Sequence, residues 1–346
     1  MINVTKPDYR TIKALNQSIV KIFAEDPIKF YEQFKLGKLP AYKNSTAIAI
    51  GDLVDFYVLE CKGNREEFDL RIDEKFSFFS EKKSTSQAIV LADELFKITK
   101  DSAIDGEITQ SFAERFTRAC FKVQKLGKYL NKSEDQILSD FNKKGLDYFE
   151  SLMANIGKTV IDDFTVRKAI SIGETLMTDS FTSHLFNKCE TKVQVEWTFK
   201  GENGEIKCKS EIDFLKIDRT NKKIFLYDLK TTYDNEGFHI GYLKNKYYIQ
   251  SAFYYHAAKS MFPDYEIVPM AFVVADTSKN ERRPLIYQTT MLDLEKAMDG
   301  FSLCGYNYRG MNDLMEDILW AEKYNIWNVS REAYERKGVI DLGFVY

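Results

Sequence analysis

Asp228 and Lys230 stand two positions apart in IFLYDLKTT, an apolar, β-branched and aromatic run that reads as a strand. Side chains alternate faces along a strand, so these two point one way and Leu229 the other. A carboxylate and an ammonium on a central strand are costly to bury unless they pair or bind a metal. KSEIDFLKI places Asp213 on the preceding strand, and VQVEWTF places Glu196 on the one before it, with Gln194 on the same face. Downstream, YYIQSAFYYHAA reads as a helix on which Gln250 and Tyr254, four residues apart, share a face. Two acids, an Asp-x-Lys and a Gln-x-x-x-Tyr are the parts of a metal-dependent nuclease centre. Phosphodiester hydrolysis must neutralise a heavily anionic transition state and present a deprotonated water. Hard carboxylate ligands hold Mg²⁺, which keeps several waters and lowers the pKa of the attacking one. The plainer alternative is a buried structural ion pair, with Gln250 and Tyr254 as packing residues.

The elements that would position these groups follow from periodicity. From Lys192 the pattern has a period of two, with Val193, Val195, Trp197 and Phe199 on one face and Gln194, Glu196 and Thr198 on the other. ENGE and DRTNKK read as turns, which predicts a meander ending in the Asp-x-Lys strand. EIVPMAFVVAD and PLIYQTT predict two more strands after the Gln250 helix, and LDLEKAMDGF, NDLMEDILWAEKYNIW and SREAYERK predict helices. Before Lys192 the chain reads as helical. Asp26-Pro27 predicts a cap and a first helical turn opening PIKFYEQFK. AIAIGDLVDFYVLE is apolar nearly all round apart from Asp52 and Asp55. Residues from about 63 to 162 are charged and helical, and DDFTVRKAISIGETLMTD predicts an amphipathic helix capped by Asp162 or Asp163.

At 346 residues and 44% hydrophobic, the chain can bury a large core. No apolar run is long enough to span a membrane, and MINVTKPDYR lacks a signal-peptide stretch. The five cysteines are scattered, with no C-x-x-C pair, which predicts free thiols in a reducing cytoplasm and neither zinc nor an iron–sulfur cluster. A net charge of −3 gives no global basic field, so any contact with nucleic acid must come from a local cluster of lysines. Lys244 and Lys246, just ahead of the Gln250 helix, are the candidates for phosphate contact.

The motifs together resemble the PD-(D/E)XK nuclease superfamily, in its RecB-like branch, and are most similar to phage and prophage RecE-type (exonuclease VIII) nuclease domains. The matching segments are NQSIVKIFAEDPIKFYEQF, GDLVDFYVLE, the helix pair GKTVIDDFTVRKAISIGETLMTDSFTSHLF, the strands VEWTF, EIDFLKI and YDLKTT, and the helix YYIQSAFYYHAA. They cover about 16–60 and 157–290. The resemblance implies an α/β restriction-endonuclease-like core, a central mixed sheet flanked by helices, with a large helical N-terminal part. It divides the chain into N-terminal core helices over 1–60, a helical insertion over 61–156, and the nuclease core with C-terminal helices over 157–346.

In such a centre Asp213, Asp228 and the backbone carbonyl of Leu229 hold Mg²⁺, for which Mn²⁺ can substitute. Glu196 completes the site or supports a second ion. Lys230 orients the water and counters charge on the phosphate. Gln250 and Tyr254 bond to Lys230, to metal-bound waters or to the DNA backbone. The resemblance also implies DNA as substrate, a single-strand-annealing recombination protein as partner, and ring-forming homo-oligomers. Two positions depart from the family pattern. Asp55 stands where a metal-reaching histidine is usual, and the basic residue before the first acid is replaced in SEID. An endonuclease or single-strand-specific nuclease on the same core, and a non-catalytic DNA- or protein-binding module, remain alternatives.

Overall fold

The computed structural model describes residues 9, 12–37, 45–78, 86–104, 107, 108, 110–154, 158–278 and 282–339. Most of the N-terminal stretch read above for a signal sequence, and Gly157 of the GKTVIDD match, lie outside them. Two compact units form: residues Met1–Lys38 with Glu174–Tyr346, and residues Leu39–Gly173. The boundaries expected at residues 60 and 156 therefore fall inside the second unit.

The first unit opens with α1 (Gln17–Glu25), where Asn16 accepts the Ile19 amide at 3.0 Å. Asp26 then accepts the Ile28 and Lys29 amides, and Pro27 takes the first position of α2 (Pro27–Phe30). Proline fits there because its missing N–H would have had no intrahelical partner. A π-helical turn, Tyr31–Lys35, continues α2.

The second unit begins with α3 (Thr46–Asp55), prolonged by a π-helical turn over Phe56–Glu60, and its apolar residues from Leu53 to Leu59 are buried. There follow α4 (Arg65–Lys75), β1 (Phe76–Phe78), α5 (Gln87–Asp101), β2 (Ala103–Ile104), β3 (Glu107–Ile108), α6 (Phe112–Lys125), α7 (Glu134–Lys144), α8 (Leu146–Ala154), β4 (Thr159–Ile161) and α9 (Asp163–Thr178), which from Glu174 onward belongs to the first unit. Leu91, Leu95, Phe116, Tyr129, Phe141 and Tyr148 form a core of their own there. One expectation is corrected. The start of GKTVIDDF is the strand β4, not a helix, and pairs parallel to β1 with Val160 opposite Ser77. Buried, β-branched Val160 and Ile161 suit a strand. The helix begins only after Asp162, whose carboxylate accepts the Thr165 amide at 2.7 Å.

After α10 (Ser183–Phe186) the first unit builds its sheet from β5 (Glu190–Gly201), β6 (Gly204–Asp218) and β7 (Lys223–Thr232). Two helices, α11 (Phe238–Lys244) and α12 (Tyr247–Met261), lead to β8 (Glu266–Asp276) and β9 (Leu285–Gln288). Then come α13 (Met291–Asp299), the small hairpin β10 (Phe301–Leu303) and β11 (Tyr306–Tyr308), α14 (Met311–Tyr324) and α15 (Arg331–Glu335). Among the described residues the sheet has five strands in the order β5-β6-β7-β8-β9. The meander β5-β6-β7 is antiparallel as expected, β9 is antiparallel to β8, and β7 and β8 run parallel. A parallel pair needs a crossover, and α11 and α12 supply it. The chain is thus an α/β protein with a central mixed sheet flanked by helices.

Val193, Val195 and Trp197 turn inward with Cys208 and Ile212, against Ala252, Phe253 and Ala257 of α12 and Met315 and Ile318 of α14. Alanines at 252, 257 and 258, all fully buried, let α12 approach the sheet closely. The N-terminal segment adds to the same sheet. β7 pairs β6 only from Phe214 onward, and beyond it Leu15 donates to Lys207 O and accepts from Lys209 N at 2.9 and 2.7 Å. All five cysteines are free thiols. Among the described residues no helix is long and apolar enough to cross a membrane.

Candidate functional site

β7 delivers Asp228 and Lys230 to the face covered by α12, since Ile224 and Leu226 of the same parity belong to the core against that helix. Asp228 is fully buried. Its Oδ1 accepts the Gln250 side-chain amide, and its Oδ2 faces the Lys230 ammonium and accepts no other hydrogen bond. Burial pushes the Asp228 carboxyl up to about 6, with Asp213 adding to the rise and Lys230 opposing it. Lys230 feels the reverse. Its own burial favours the neutral amine, but Asp228 and Asp213 outweigh that and hold it charged.

Asp213 reaches the same place from β6. Its Oδ2 accepts the Leu229 N–H at 2.9 Å, and its Oδ1 lies 3.2 Å from Lys192 Nζ. Burial works against its charge, yet Lys192, Lys230 and the Leu229 amide prevail and keep its carboxyl below the usual range. Leu229, expected to offer its carbonyl, thus grips the first acid with its amide. Gln250 and Tyr254 are both buried, one helical turn apart on α12. Burial, Asp213 and Asp228 raise the Tyr254 phenol well above its ordinary range, so it keeps its proton.

The register corrects the expectation for Glu196. It is exposed on β5 opposite Lys209, whereas Lys192 lies at the level of Asp213. Four strand positions separate Glu196 from that level, about 13 Å at roughly 3.3 Å per residue, so it does not join Asp213 and Asp228. The nearer acid is Glu211, two residues before Asp213, which accepts the Gln194 amide at 3.1 Å. Asp55 ends α3 in the second unit, partly buried. Lys244 is exposed at the end of α11, while Lys246 pairs with Glu25 at 2.8 Å and so offers a phosphate less.

Sequence reasoning missed two lysines and a tyrosine. Lys192 has φ +49°, a left-handed conformation that interrupts the strand alternation and brings its ammonium onto Asp213. Nothing in the residue type announces that backbone. It also supplies the positive charge missing from SEID, but from the neighbouring strand. Lys21 of α1 comes within 3.4 Å of Gln250 Oε1, and the Tyr247 ring lies beneath both Lys21 and Lys230. Lysines at such positions look like ordinary surface residues until the helix is placed.

Two carboxylates and a backbone carbonyl make an all-oxygen donor set suited to a hard cation, and Mg²⁺ commonly takes only one or two carboxylates besides waters and phosphate oxygens. The buried Asp228 Oδ2, met only by an ammonium, has lone pairs left to give. Among the described residues no group of three or more His, Cys, Asp or Glu side chains is placed to hold a metal ion, so any ion here would depend on water and substrate for its remaining ligands.

No protein-family model matches the chain, and no curated protein matches it. A solved structure from Eubacterium rectale, provisionally named an exonuclease, is similar over 100% of this chain and 96% of its own, at 12% identity and a TM-score of 0.49. A second solved structure, SSO0001, is similar over 79% of this chain and 88% of its own, at 12% identity and a TM-score of 0.25. Likenesses that distant leave the chemistry to be argued from the site itself.

Proposed function

We propose that the chain is a metal-dependent deoxyribonuclease that hydrolyses phosphodiester bonds at the ends of double-stranded DNA. The observation that carries this reading is the convergence of Asp213, Asp228 and Lys230 on one buried face under Gln250. An ammonium there is held charged beside two acids of opposite titration behaviour. A structural ion pair would need neither the second aspartate nor the glutamine.

Asp213, Asp228 and the Leu229 carbonyl would hold Mg²⁺, or Mn²⁺ in its place. A divalent ion at this point lowers the pKa of water and offsets charge on the phosphate. Lys230 orients the attacking water and meets the growing negative charge on the phosphoryl oxygens. Gln250 fixes the Asp228 carboxylate by its amide donor, and Tyr254, one turn further along the same helix, is buried beside it with its phenol protonated. The sequence resemblance extends the reading to a RecE-type exonuclease of phage recombination. Such an enzyme resects ends beside a single-strand-annealing protein and assembles as a homo-oligomer in the cytoplasm.

The test is digestion of supercoiled plasmid, linear duplex and single-stranded DNA with Mg²⁺ or Mn²⁺ against an EDTA control. Acid-soluble release from linear duplex alone is the expected result. Nicked circles would make the protein an endonuclease, and release from single strands alone a single-strand nuclease. DNA binding with no cleavage under any ion would make it a non-catalytic module and end the proposal.

A further inference from the structure

Lys21 is a charged group at this site that the mechanism above does not use. Its Nζ donates to Gln250 Oε1 at 3.4 Å and lies 4.9 Å from the centroid of the Tyr247 ring. Lys230 Nζ lies 5.0 Å from the same centroid. An ammonium carries three donors. Among the described residues Lys21 has one long bond to an amide oxygen and a ring face, and no carboxylate pairs with it. Asp228 is already engaged by Lys230 and Gln250, and Glu25 by Lys246.

Two ammonium groups, Lys192 and Lys230, already act on Asp213 and Asp228, and Lys21 brings a third positive charge to the same place. Burial first, and then the Lys230 charge, lower the Lys21 ammonium to about 7. A half-buried cation without a full set of acceptors is partly desolvated and relieved by an anion. A tyrosine ring about 5 Å from each of two ammonium groups attracts both by cation–π interaction without supplying them a hydrogen-bond acceptor.

We propose that Lys21 and Lys230, across the face of Tyr247, form a phosphate-binding subsite that takes the non-bridging oxygens of the DNA backbone at the point of cleavage. The assignment rests on the nuclease reading. In it Lys21 contributes binding and charge, while Lys230 also acts on the attacking water. Lysine meets phosphate as a point charge, which suits a site that must grip any sequence.

The test compares the full-length wild type with Lys21→Met and Lys21→Arg, each checked by thermal melting. Affinity for a short labelled linear duplex is measured in EDTA from about 50 to 200 mM NaCl, where each phosphate contact on duplex DNA adds about 0.9 to the slope of log Kd against log salt. Lys21→Met is expected to flatten that slope by about 0.9 and, with Mg²⁺ present, to raise KM for the duplex about tenfold. Lys21→Arg is expected to keep the wild-type slope. Should Lys21→Met not fold, Lys21→Gln takes its place in the same comparison. A lowered melting temperature with slope and KM unchanged would make Lys21 a packing residue and overturn the subsite while wild-type cleavage left the nuclease reading standing. Conversely, a wild type that binds but never cleaves defeats the nuclease reading, and a slope unchanged by Lys21→Met in that protein defeats the phosphate contact too.

Discussion

Asp228 has no exposed surface and one neutral donor, so its charge depends on Lys230. Asp228→Asn preserves the shape, and it is expected to abolish cleavage together with Mn²⁺ binding measured by calorimetry. Lys230→Met should lower the cleavage rate by about 10²–10³-fold, the usual effect of removing one donor to a developing oxyanion, while Mn²⁺ still binds. Wild-type digestion by either variant excludes the assigned roles. His256, stacked on Trp197 at 5.7 Å with its Nε2 unpartnered, belongs to stability. Burial lowers its pKa, so the unfolded chain binds a proton that the folded chain refuses. Stability is therefore complete above the ordinary histidine value of about 6.5 and falls as the pH drops below it toward the folded value. His256→Gln should flatten the melting temperature over that acidic range, and an unaltered pH profile would contradict this account.

At the scale of elements, close approach decides where small residues are needed. Gly173 lies in α9, and a methyl group there would meet the Tyr57 ring at 2.4 Å. Gly173→Ala should thus destabilise by about 1–3 kcal/mol through overpacking, although alanine is the better helix former by about 1 kcal/mol. Chemical denaturation measures which effect wins, and a stabilised variant would show that Tyr57 moves aside. The same contrast between local and tertiary information explains what could be read in the chain. The five sheet strands, the Asp26-Pro27 cap and the side on which Asp228 and Lys230 meet were legible, because they follow from period-two alternation and from groups within a few residues of one another. Glu196 was misplaced because strand parity selects a face and not a height, and only the β5–β6 register supplies the height. Lys192 needed a left-handed backbone and Lys21 a helix from the far end of the chain, and neither leaves a periodic trace. The strand at Thr159–Ile161 is set by its pairing with Phe76–Phe78, more than eighty positions earlier.

Over the whole molecule, two compact units, each with a described core of its own, imply unfolding that is not two-state. Calorimetry should resolve two transitions. Phe141→Ala, in the core of the second unit, should lower one, and Phe253→Ala, under the sheet, the other, each by about 3–5 kcal/mol. Saturating Mn²⁺ should raise the transition that Phe253→Ala lowers, by about 2.7 kcal/mol at one hundred times its dissociation constant. A single transition shifted alike by both variants would show that the two cores melt together.

The bridge from Leu15 to β6 also sets a timetable for synthesis. Lys209 binds the carbonyl of Ile12 across 197 positions of chain. At roughly 5–20 residues per second, α1 leaves the ribosome about 10–40 s before the strand that receives it. Throughout that interval the apolar side of α1, with Val20 and Phe23, has no sheet to cover it. The whole second unit is made in between, with a core that needs nothing from α1. Lys21 waits on the same helix, so the site closes only when strands and a helix made much later reach back to α1.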